Sequence, residues 1–100
     1  MDYLKDYGFT DTDIEEINNS NYKNILDNLV LNREHVQSIV DYLLGIGIEK
    51  RTIKRIFMYQ VGLFTKTLDD IKTSFDEYEL DSVVKSLNYD ADNVELIDFV

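Results

Sequence analysis

The sequence predicts an all-α domain, and three observations carry that prediction. Proline is absent, glycine occurs only four times, and the apolar residues recur at spacings of three and four. A sheet sandwich would need turn residues at short intervals, which this chain lacks. One hundred residues with 44% hydrophobic and 30% charged side chains suit a single domain, residues 1–100, with one modest core.

Set in register on Gly8, Gly47 and Asn88, the chain repeats itself. Phe9, Ile48 and Tyr89 coincide, as do Ile14, Ile53 and Val94, and Ile17, Ile56 and Ile97. Leu4, Leu43 and Val84 each precede the register residue by the same interval. Offsets of about 40 residues are typical of helical repeats. The expectation is a helical-repeat-like bundle of about two and a half helix–turn–helix units, near 3–41, 42–83 and 84–100.

Each unit has a physical rationale. A helix ends, and the chain reverses through a residue at positive φ, which glycine adopts freely and asparagine tolerably. An apolar residue then packs back, and a second helix opens with Thr10 or Thr12, Glu49, or Asp90 as N-cap or first-turn acid. Ser20 or Asn21 starts a short helix carrying Tyr22, Ile25, Leu26 and Leu29. Asn32 caps the next, with Val36, Ile39, Val40, Leu43 and Leu44 inward. After the second reversal Ile53, Ile56 and Phe57 face the core, and VGLF (61–64) is a connecting turn. Thr67 opens a helix with Asp70 in the capping-box position and a stripe of Leu68, Ile71, Phe75 and Tyr78. Asp81 or Ser82 starts the last stretch, with Val83, Val84 and Leu87. Leu96, Ile97, Phe99 and Val100 form a terminal apolar face, expected to pack on the preceding helix.

The stretches LLGIGIEKRTIKRI and VGLFTKTLDDI, with YLKDYGFTDTDIEEI and LVLNREHVQSIV in the first unit, resemble the helical repeat of the mitochondrial transcription termination factor (mTERF) family. In that family a leucine–x–x–x–glycine reversal precedes an I-x-x-I helix. The resemblance implies stacked helical pairs and, as the second of two functional readings, a nucleic-acid-binding or transcription-associated domain.

Charge is unevenly placed. Residues 1–32 carry two basic and seven acidic side chains, residues 33–69 six and four, and residues 70–100 two and nine. The basic charge concentrates on the helix after the second reversal, as Lys50, Arg51, Lys54 and Arg55. The equivalent first-unit positions are Asp11, Thr12, Glu15 and Glu16. Such a face makes intrachain pairs with carboxylates such as Glu49 or Asp69, or it recognises an acidic partner. The first functional reading is therefore a non-catalytic interaction module that binds an acidic protein surface, including that of a second copy. A phosphate backbone fits less well, because a net charge of -10 opposes it.

Chemistry is sparse. No cysteine is present, and His35 is the single histidine, so a transition-metal site is not expected. GIGIEK has Lys50 where a dinucleotide fingerprint needs its third glycine. NYDADNVE lacks the glycine of a calcium loop and is better explained by helix capping. No nucleophile elbow occurs. Neither an enzyme nor a cofactor is expected. No apolar run approaches the roughly 18 residues of a membrane span, and MDYLKDYG has no signal-peptide character. A cytoplasmic address is the expectation.

Overall fold

The computed structural model describes residues 1–97, and among them every regular element is helical. Six α-helices are present: α1 (Asp11–Asn19), α2 (Lys23–Leu31), α3 (Arg33–Ile46), α4 (Lys50–Tyr59), α5 (Leu68–Asp76) and α6 (Leu80–Tyr89). Short 3₁₀ segments occupy Asp2–Tyr7, Val61–Thr65 and Ala91–Leu96. The expectation for Phe99 and Val100 lies outside the described residues.

The first two reversals share one geometry. Gly8 (φ 86°) and Gly47 (φ 105°) are both left-handed C-caps. The Phe9 amide donates to Leu4 O, and the Ile48 amide donates to Leu43 O. These are the long-range bonds of a Schellman motif, in which the residue after the glycine folds back on the helix it has just left. Phe9 and Ile48 are accordingly buried.

Asn88 does not repeat this geometry. It lies inside α6, and no residue other than glycine has positive φ among those described. Tyr89, expected to pack like Phe9 and Ile48, is 90% exposed. Ala91 and Val94 turn inward instead, from a 3₁₀ segment and not an α-helix. The reason is that the Asn88 side chain is bonded to the second reversal, as described below, which suits a helical backbone at position 88.

One contiguous core runs through the molecule. Leu4, Ile17, Ile39, Val40, Leu43, Ile53, Ile56, Phe57, Ile71 and Phe75 are all fully enclosed. Each such side chain contributes about 1.5–3 kcal/mol on removal from water, so burial outweighs every surface ion pair described here. Phe57 and Phe64 stack face to face with centroids 3.9 Å apart, which fixes the Val61–Thr65 segment against α4.

Several expected inward positions point elsewhere. Tyr22 precedes α2 as its N-cap and is 81% exposed, because Ile25 and Leu29 already fill that helix's inner face. Leu44 stays partly exposed, one position around from the buried Leu43. Tyr78 lies beyond the end of α5, and Leu96 is 74% exposed. α6 begins at Leu80 after Glu79, earlier than Asp81 or Ser82.

Two of the expected caps form, whereas Asn32 precedes α3 without capping it, its Nδ2 being bonded back to Asn28, and α2 opens after Tyr22 instead of Ser20 or Asn21. Thr10 accepts from the Asp13 amide while the Asp13 carboxylate accepts from the Thr10 amide, a reciprocal capping box. Thr67 accepts from the Asp70 amide at the start of α5.

Candidate functional site

α4 is amphipathic because Thr52, Ile53, Ile56 and Phe57 are buried, which leaves Lys50, Arg51, Lys54 and Arg55 along the rest of its circumference. The helix packs against α1 on one side and the Ala91–Leu96 segment on another. Its four cations therefore have different surroundings.

Lys54 is drawn into the seam with α1. Its Nζ lies 2.9 Å from Asp13 Oδ1 and also pairs with the Glu16 carboxylate, and the side chain is only 23% exposed. The hydrogen bond to Glu16 and then that to Asp13 raise the Lys54 pKa. Asp13 is held below the usual carboxylate range, first by the Thr10 amide and then by Lys54. The opposite charge of residues 11–16 and 50–55 thus has a direct cause: acidic α1 and basic α4 are packing partners.

Lys50 reaches back to the first reversal, where Nζ donates to Gly8 O at 3.0 Å. Arg51 pairs through Nε with Glu49 and donates from Nη2 to Asn88 O at 3.0 Å. The Arg55 guanidinium sits 5.1 Å above the Tyr59 ring and has no carboxylate partner among the described residues. Asp69, an expected partner for this face, is not paired with it.

The second reversal is closed by Asn88. Its Nδ2 donates to Gly47 O at 3.0 Å, while its Oδ1 accepts from the Glu49 amide and the Thr52 hydroxyl, both at 2.9 Å. Glu49 is the N-cap of α4 but makes no side-chain cap itself. Asn88, from a different helix, supplies that cap. Each glycine carbonyl is thus bonded by a side chain from the segment that follows it by some 40 residues.

Two surface concavities border these elements. A shallow one of about 270 Å³ is lined by Arg51, Arg55, Asn88, Tyr89 and Asp90 with Thr52, Leu87 and Ala91 beneath. A larger cleft of about 550 Å³ lies between α2, the start of α3 and the Val61–Thr65 segment. It is lined by Asn24, Ile25, Asn28, Leu29, Asn32, His35, Phe64 and Thr65. The sequence gives no sign that His35 lies beside the α2 asparagines, which it meets only through the packing of α2 on α3. Only the spacing of four among those asparagines is legible in the chain.

Among the described residues no group of His, Cys, Asp or Glu is arranged to hold a metal ion. No described helix is long and apolar enough to cross a membrane. No protein-family model matches the chain, no curated protein matches it, and no solved structure matches it.

Proposed function

We propose that this all-α domain is a non-catalytic interaction module that recognises an acidic protein surface through the outward part of the α4 face, where Arg55 has no carboxylate partner among the described residues and Arg51 holds only the exposed Glu49 and the Asn88 carbonyl. Arg51 and Arg55 carry the reading, with Tyr59 and Tyr89 beside them; Lys50 and Lys54 serve chiefly to join α4 to the first unit. The supporting observation is that Arg51 and Arg55, one helical turn apart, line a single concavity together with a tyrosine that is 90% exposed. Arginine and tyrosine are the side chains enriched at protein interfaces, and a guanidinium pairs bidentately with carboxylates. Asp90 in the same concavity disfavours a continuous phosphate backbone, which makes nucleic acid the second reading.

The test is a titration of the protein with a hexaglutamate peptide and, separately, with a hexathymidylate oligonucleotide, followed by amide chemical shifts. Shifts at residues 51, 55 and 89 with the peptide, abolished by R51E/R55E, support the proposal. Shifts with the oligonucleotide alone, steeply lost as salt rises, would transfer the face to the nucleic-acid reading. Silence with both probes removes both readings.

A further inference from the structure

The cleft beside α2 has no part in the α4 face, and its lining has a chemistry of its own. In a chain with 30% charged residues, no Asp, Glu, Lys or Arg lines it. Its volume falls in the range of ligand sites. Asn24 and Asn28 stand one turn apart on α2, about 6 Å along its axis. The Asn24 carboxamide makes no hydrogen bond among the described residues, and neither does the His35 imidazole. Asn28 accepts at Oδ1 from Asn32 Nδ2 at 3.2 Å, which orients its amide and leaves its own NH₂ unspent. The floor is apolar, formed by Leu29 and Phe64 with half-buried Ile25 at the wall.

Ligand classes can be sorted against this lining. A charged ligand would find no counter-charge. A sugar or a nucleobase would want an aromatic face, but the Phe64 ring is 1% exposed and stacked on Phe57. A purely apolar ligand would leave the carboxamides facing nothing. An extended peptide satisfies all three constraints. Its main-chain N–H and C=O groups recur on one side every two residues, about 6.6 Å, close to the Asn24–Asn28 repeat. A carboxamide can donate to the C=O and accept from the N–H of one residue of such a strand, because those two groups point to the same side.

We propose that this cleft binds an extended, uncharged peptide segment of a partner protein by its main chain, with Asn24 and Asn28 as paired carboxamide contacts and His35 at the α3 end. The inference stands apart from the α4 reading, and either can fail alone.

The experiment uses ¹⁵N-labelled protein and acetyl-(Val-Thr)₃-amide, with the same peptide N-methylated at alternate residues as control. The side-chain NH₂ signals of Asn24 and Asn28 should move saturably at millimolar peptide, and the N-methylated control should bind about tenfold or more weakly. N24A and N28A, both at exposed helix positions, should keep the helical spectrum and lose the response. No saturable shift by about 5 mM peptide, an N-methylated control of equal affinity, or variants that still respond would each overturn the proposal. A titration with cellobiose that moves the same two signals would also overturn it, in favour of a sugar site.

Discussion

Lys54 Nζ sits 2.9 Å from Asp13 Oδ1, although the two residues, on α4 and α1, lie 41 positions apart in the chain. Asp13 also accepts from the Thr10 amide, so one carboxylate both caps α1 and receives the cation of α4. This arrangement makes the two helices electrostatically specific for each other, which apolar seams alone are not.

Reversing that charge should therefore be costly, and restoring complementarity should recover most of the loss. K54E is expected to destabilise the domain by about 1–2 kcal/mol, because a half-buried anion would face Asp13 and Glu16. E16K/K54E should regain at least half of that while sparing the Asp13 cap. Urea denaturation of the two single variants and the double variant completes the cycle. Additive losses would mean that the seam is indifferent to charge.

The Asn88 clasp makes a second prediction. N88A removes the donor to Gly47 O and the acceptor shared by the Glu49 amide and Thr52, whose side chain is buried. A loss of about 1–2 kcal/mol follows from the missing cap and the unpaired hydroxyl. N93A, which severs only a single exposed bond to Ser86 O, should cost less. Thermal melts of both variants decide the order.

The glycines should divide by conformation. Gly47 has φ 105°, and a Cβ there would lie 3.4 Å from Val84 Cγ1. G47A should cost about 1–2 kcal/mol. Gly45 sits in the helical last turn of α3 with open space around it, so G45A should stabilise by about 0.5–1 kcal/mol. Opposite signs from neighbouring positions, measured by urea midpoints, are the expected result.

Alkaline pH should unfold the N-terminal segment first. Burial pushes the Tyr3 phenol up to about 12, with Arg33 opposing, and burial pushes Tyr7 up to about 12 as well. Tyr3 donates its hydroxyl to Leu29 O at 3.0 Å, a bond that phenolate cannot make. An unfolded tyrosine ionises near pH 10. The folded state thus holds these protons more tightly, and stability is complete below about pH 10 and falls as pH rises towards 12. Absorbance at the phenolate band should show Tyr3 and Tyr7 titrating late, together with Tyr42, whose phenol burial also raises. Y3F should remove one late step and flatten the alkaline loss of stability.

Much of this architecture can be read from the chain because it is local. Gly8 and Gly47 declare their turns through backbone freedom, Thr10 and Thr67 through side chains that reach the third residue on, and Ile53 and Ile56 through helical spacing. Asn88 misled for the same reason. Asparagine is compatible with a left-handed turn, and alignment with two glycines made that role seem natural. What the side chain actually satisfies is a helix start 39 residues earlier, which no local pattern encodes. The four cations of α4 were legible as a cluster, but their division between seam and solvent depends on where α1 lies. The cleft beside α2 was hidden likewise, since Phe64 and His35 meet the asparagines only after packing.

The two glycine carbonyls and the Asp13 and Glu16 carboxylates of α1 all wait for side chains from downstream. During synthesis, at about 5–20 residues per second, the partner for Gly8 arrives some 2–8 s after the turn itself. For that interval the nascent first helix carries unbalanced negative charge and an open turn, and it can be settled only once α4 has emerged. The order of translation and the order of closure are in this way tied together.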